Sequence, residues 1–69
     1  MQRTPVASSA VKSIGYDAEE ETLEVEFANG GVYRYLEVPA DEHERLLAAE
    51  SIGTYMNVVI KPSFPCRKL

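Results

Sequence analysis

The sequence predicts a small α+β domain, a three-stranded antiparallel meander followed by two helices packed on one face of the sheet. Three observations carry that expectation. From Thr22 to Phe27 the residues alternate strictly, with Leu23, Val25 and Phe27 facing one way and Glu24 and Glu26 the other, as a half-buried antiparallel strand requires. Ala28-Asn29-Gly30-Gly31 follows at once, a run that tolerates positive φ and so suits a tight hairpin. Beyond Pro39 the apolar residues recur instead at helical spacing, first around Leu46 and Leu47, then at Ile52, Tyr55, Met56, Val59 and Ile60.

Residues 1–9 carry Thr4, Pro5, Ser8 and Ser9 without apolar periodicity and read as a flexible lead-in to a single domain spanning 10–65. Val11 to Asp17 sets Ile14 and Tyr16 against Ser13 and Gly15, a short first strand. Ala18-Glu19-Glu20-Glu21 is a charged connection into the second strand.

The hairpin after that second strand has two competing registers, and the choice decides where Tyr33-Arg34-Tyr35 points. A two-residue turn at Asn29-Gly30 would place Arg34 on the core face. A three-residue loop, Asn29-Gly30-Gly31 with Gly31 left-handed, would pair Phe27 with Tyr33 and Val25 with Tyr35, and would turn Arg34 outward beside Glu24 and Glu26, because a slip of one residue flips every side chain. Burying an unpaired arginine costs several kcal/mol, on the order of the stability of such a domain, so the three-residue loop is expected.

Val38-Pro39 ends the third strand, since proline donates no ladder hydrogen bond and holds its predecessor extended. Asp41 and Glu42 suit the first turn of a helix running on toward Ser51. Ser51 to Gly53 reads as a break, with Gly53 free to end that helix. The second helix takes the stripe from Ile52 to Ile60, Pro62 stops it, and residues 66–69 form a basic tail, with Phe64 placed to fold back onto the core.

A chain of 69 residues has room for one domain, and one of that size buries roughly 60% of its unfolded surface, so its stability is expected to be modest. One Cys (Cys66) and one His (His43) supply neither a disulfide framework nor a metal-ligand pattern, which fits a reducing cytoplasm and no cofactor or metal. The N-terminus lacks the apolar run of a signal peptide, and no stretch of 18 apolar residues is present to span a membrane. Net charge is −4, the opposite of the basic excess usual in general nucleic-acid binders. The charge is uneven, however: six acids and no base lie between Asp17 and Glu26, whereas the last nine residues hold Lys61, Arg67 and Lys68 and no acid. An anion-binding surface would therefore lie toward the C-terminal end.

This layout resembles the KTSC domain, a short family found at the C-terminus of some lysyl-tRNA synthetases and as stand-alone bacterial proteins. Tyr33-Arg34-Tyr35 matches its Tyr-x-Tyr hallmark, and the resemblance extends over Ser8-Ser9, Ile14-Gly15-Tyr16-Asp17, Leu23 to Phe27, Val38-Pro39 and Ser51-Ile52-Gly53-Thr54-Tyr55-Met56-Asn57, so it covers Ser8 to about Pro65. It implies a domain of unestablished function for which RNA binding is the suggestion, by association with the synthetases.

No catalytic constellation stands out, and the chain is read as a non-enzyme. His43 lies among acids on a surface helix turn, without a second His to relay a proton. Cys66 lies beside the cations Arg67 and Lys68 but has no partner base. Glu24 and Glu26 read as solubility charges on an acidic, wet sheet face. The candidate binding residues are Tyr33, Arg34, Tyr35, Asn57, Lys61, Arg67 and Lys68. Tyr33 and Tyr35 are core aromatics in the expected register. Exposed, they would be a stacking platform holding a base for about 1–3 kcal/mol each. Arg34 can pair with Glu24 or Glu26, or contact phosphate. Asn57 can cap, brace the sheet or meet a ligand. The expected function is thus a small non-catalytic binding module with RNA as partner. A protein-interaction or self-associating adaptor, using a sheet edge or the Phe64 tail, is the alternative.

Overall fold

The computed structural model describes residues 2–69. Five strands, not three, form one antiparallel sheet in the order β1 (Arg3–Pro5), β2 (Val11–Asp17), β3 (Thr22–Phe27), β4 (Val32–Tyr35), β5 (Cys66–Lys68). The two extra strands lie in the segments read as a flexible lead-in and a basic tail. Both are three residues long and short of apolar side chains, so neither shows the alternation by which a strand is recognised. Each is held by the edge of a stronger neighbour: Thr4 opposes Ile14, and Arg67 opposes Arg34. Backbone bonds from Leu36 N–H to the Pro65 carbonyl and from Leu69 N–H to the Val32 carbonyl bracket β5.

The β3–β4 hairpin has a three-residue loop, but it comprises Ala28, Asn29 and Gly30. Phe27 N–H donates to the Gly31 carbonyl at 2.8 Å, and positive φ falls at Gly30 (96°), not Gly31. Val25 therefore opposes Tyr33 and Leu23 opposes Tyr35. The expected register is displaced by two residues, and because the side-chain period is two, every residue keeps its expected face. The Asn29 side-chain oxygen accepts from Gly31 N–H, closing the turn.

A bulge between Val11 and Ser13 breaks the simple alternation of β2. The extra residue turns Val11 onto the core side, where it is fully buried. It joins Ile14, Leu23, Val25, Tyr35, Val38, Leu46, Met56 and Ile60 in one core between the sheet and the helices. Phe64 packs against that core, as expected.

Helix α1 (Ala40–Ala48) starts after Pro39 with Asp41 and Glu42 in its first turn and stops short of Ser51. Ser51 instead caps the next helix, accepting from Thr54 N–H. Gly53 lies inside this helix, contrary to the expected break. The reason is packing: a Cβ on Gly53 would stand 2.8 Å from Ala10 Cβ. Three segments then run on continuously, α2 (Ile52–Tyr55), a π-helical stretch (Met56–Ile60) and α3 (Lys61–Ser63). In the wide turn Lys61 N–H bonds to the Met56 carbonyl, five residues back. Pro62, expected to stop the helix, is carried within it. A proline ring clashes with the carbonyl four residues back in an α-helix, and the π turn opens that spacing.

Candidate functional site

The loop geometry, the helical run and β5 enclose a pocket of about 530 Å³ lined by Ala10, Phe27, Ala28, Asn29, Tyr33, Tyr35, Lys61 and Cys66, a volume within the range of small-ligand sites. Ala28 N–H donates to the Ala10 carbonyl at 2.9 Å and ties the hairpin to the β1–β2 connection on one side. The Phe27 and Tyr33 rings meet edge to face, centroids 5.6 Å apart and 76° between planes. Lys61 places its Nζ over the Phe27 ring, 5.0 Å from the centroid. Bare Gly31 makes room for the Tyr33 ring, since a Cβ there would lie 3.2 Å from Tyr33 Cε1.

Tyr35 forms the floor and is 2% exposed. Its phenol is pushed up to about 12, first by burial and then by Cys66 and Tyr33 nearby. It is therefore a neutral hydroxyl at any physiological pH, able to donate or accept. The lining holds one cation, an amide, two phenols, a thiol and no carboxylate. Such walls suit a flat, unsaturated ring with polar edges and tolerate a negative charge.

The sheet divides the candidate residues between its two faces. Tyr33, Tyr35 and Lys61 meet in the pocket, and Lys68 lies on that same side of the sheet, opposite Tyr33. Arg34 and Arg67 oppose each other on the far face. Asn57 is exposed on the π-helical stretch, outside the pocket lining. Phe27, Asn29 and Cys66 line the pocket as well, although none is among the expected binding residues. Cys66 follows from alternation once it is paired with Tyr35, but only if residues 66–68 are known to be a strand.

The far face is not the acidic, wet surface expected from Glu24 and Glu26. Glu24 is 6% exposed and holds two arginines: its Oε2 lies 3.1 Å from Arg3 Nη1 and its Oε1 accepts from Arg34 Nε at 2.9 Å. Gly15, between β1 and β3 in the register, presents no side chain and lets Arg3 cross to the carboxylate. Glu26 accepts from the Ser13 hydroxyl at 3.0 Å. The pairing of Arg34 with Glu24 was anticipated. The burial was not, because Arg3 lay in the segment read as loose.

His43 likewise differs from the solvated side chain expected. Its ring stacks on Tyr16 at 4.5 Å, with 13° between planes. Burial lowers its pKa from the ordinary value, against a smaller raising effect of Glu44. It borders a separate hollow with Thr4, Val6 and Leu47, away from Cys66. Among the described residues no group of three His, Cys, Asp or Glu side chains gathers to hold a metal ion, and no helix is long and apolar enough to cross a membrane.

The KTSC domain profile matches residues 7–64. The chain belongs to the KTSC domain family. A crystal structure of a KTSC domain protein from Yersinia pestis superposes with a TM-score of 0.95 at 46% identity, covering 99% of this chain and 96% of that one. An uncharacterised protein of Stutzerimonas stutzeri is 47% identical over 62 residues, covering 90% of this chain and 87% of its own length. A lysine–tRNA ligase of Nostoc punctiforme is 38% identical over 61 residues, which are 88% of this KTSC chain but 11% of the ligase.

Proposed function

We propose that this KTSC domain is a non-catalytic binding module that seats an unpaired RNA base in the pocket between Phe27, Tyr33, Tyr35 and Lys61. The observation that carries the reading is the pocket lining itself: aromatic walls, one ammonium and no carboxylate, in a chain whose net charge is −4. Unpaired bases are held by stacking on aromatic side chains and by polar groups at their edges. Likeness to a segment of proteins named lysine–tRNA ligase adds weight to an RNA partner. For a non-catalytic role, the support is that Cys66 has no base beside it in the lining and His43 borders a different hollow. The lone exposed Cys66 suits a reducing cytoplasm.

The test is a titration of labelled protein with short single-stranded RNA at low salt. Binding should shift the amides of Asn29, Tyr33 and Lys61, weaken steeply with added salt, and fall about tenfold or more in Tyr33→Leu, as loss of a stacked base implies. An unchanged spectrum at saturating RNA would sink the reading. The adaptor alternative draws support from β5, an edge strand exposed at all three residues, and from Val58, 67% exposed on the helical run. Phe64, packed on the core, no longer contributes to it. Self-association predicts a mass that rises with concentration in sedimentation, and a monomeric profile at high concentration would remove that version.

A further inference from the structure

The far face of the sheet carries one row in register across all five strands, Arg3, Gly15, Glu24, Arg34 and Arg67, charged at every position but Gly15. Two features of the row are unexplained by folding. Arg34 and Arg67 stand directly opposite each other on β4 and β5, and like charges in that position destabilise a sheet. The ion pairs among the described residues join Glu24 to Arg3 and Arg34, and Arg45 to Asp41 and Glu42, so Arg67 enters none of them. Glu24 stands opposite Arg34, with β4 between it and Arg67, and its ion pairs are with Arg3 and Arg34. The other acids on this face, Glu26, which accepts from the Ser13 hydroxyl, and Asp17, which accepts from the Glu19 and Glu20 N–H groups, form no ion pair with Arg67. Arg3, Arg34 and Arg67 are matched in number by Asp17, Glu24 and Glu26 on this face, but the acids lie on β2 and β3, so its β4–β5 end carries a local excess of positive charge.

From this arrangement we propose that Arg34 and Arg67 form a binding site for a phosphate group on the far face, separate from the pocket. Glu24 acts as a positioning residue. By taking Nε of Arg34 it fixes the plane of that guanidinium and leaves both Nη atoms to a ligand. Two guanidiniums side by side present paired N–H donors that match tetrahedral phosphate oxygens, and a phosphate converts the repulsive pair into a bridged one. The phosphate can come from a nucleic-acid backbone or from a small phosphomonoester. The site does not depend on the pocket reading.

The experiment follows backbone amides and arginine Nε–H signals while inorganic phosphate is added at fixed ionic strength, with chloride as the matched control. Phosphate should give saturable shifts at Arg34 and Arg67 that chloride does not, with Asn29 and Gly30 unmoved. Arg67→Gln, exposed on an edge strand, should keep the core spectrum and bind about tenfold more weakly, as loss of charge-assisted hydrogen bonds implies. Lys68→Ala, on the opposite face, should bind as the parent does. A mononucleotide 5′-phosphate that outcompetes inorganic phosphate identifies a monoester ligand. Tighter binding of single-stranded RNA without a terminal phosphate, lost in Arg67→Gln, identifies a backbone phosphate. Shifts that rise linearly and equally with chloride, or an Arg67→Gln variant that binds phosphate undiminished, would overturn the site.

Discussion

Leu23 and Glu24 are adjacent in β3, and both are nearly inaccessible, yet they are buried by different means. On the helix side, Leu23 and its cross-strand partner Tyr35 are covered by apolar side chains, Met56 and Ile60 among them. On the far side, Glu24 and its partner Arg34 lie under no helix. A carboxylate is covered there by two arginines that reach it from β1 and β4. Equal burial therefore does not mean equal energetics: one face gains from removing apolar surface from water, whereas the other recovers the cost of desolvating a charge through pairing. The first face tolerates loss of shape poorly, and the second tolerates loss of charge balance poorly.

The largest test of this contrast is Tyr35→Ala, which should destabilise by about 3–5 kcal/mol in urea unfolding, as other large-to-small aromatic truncations in cores do. Tyr35→Phe keeps the shape and isolates the hydroxyl. In the parent, a folded pKa of about 12 against the ordinary value of 10.0 means that the folded state holds its proton more tightly than the unfolded one. The stability this represents is fully present below pH 10 and lost as pH rises from 10 to about 12. An ultraviolet titration of the phenols run with circular dichroism should show unfolding in that window, and Tyr35→Phe should lessen it.

On the charged face, Glu24→Gln should cost about 1–2 kcal/mol by the same urea assay. That is less than the loss of a fully buried pair, because Arg3 and Arg34 remain partly in water. A loss as large as that of Tyr35→Ala would show that the two faces are equally demanding. The smallest effect is expected for Arg67→Glu, which places an acid opposite Arg34 and should stabilise the domain by about 0.5 kcal/mol at low salt, fading as salt is added.

How much of this was legible from the residues differs from element to element. β3 announces itself by strict alternation, and the Asn-Gly-Gly run announces a hairpin. The face of each tyrosine followed correctly even though the pairing was displaced by two residues, because face depends only on parity. β1 and β5 left no such trace: with three residues each and little apolar content, they are strands only because a neighbouring edge offers its hydrogen bonds. Missing them hid the rest. Without β1 the second arginine partner of Glu24, Arg3, had no place, and without β5 Cys66 and Arg67 had no assigned face. Gly53 and Pro62 were read by their usual local roles, and in both cases a long-range need, the approach of Ala10 or the widened turn, overrode them.

By itself the sequence determined the class of fold, the central hairpin, the apolar face of each long element, the acidic balance and the resemblance that the family match bears out. Those are properties of periodicity, composition, motif order and local turn chemistry, none of which requires knowing which distant segments touch. The tertiary structure alone decided what meets each face of the Tyr-Arg-Tyr strand, Lys61 beside the two tyrosines in a pocket and Arg67 beside the arginine on the far side. That division depends on which distant segment pairs with β4, and such a choice is made by edge hydrogen bonding and burial summed over the whole chain.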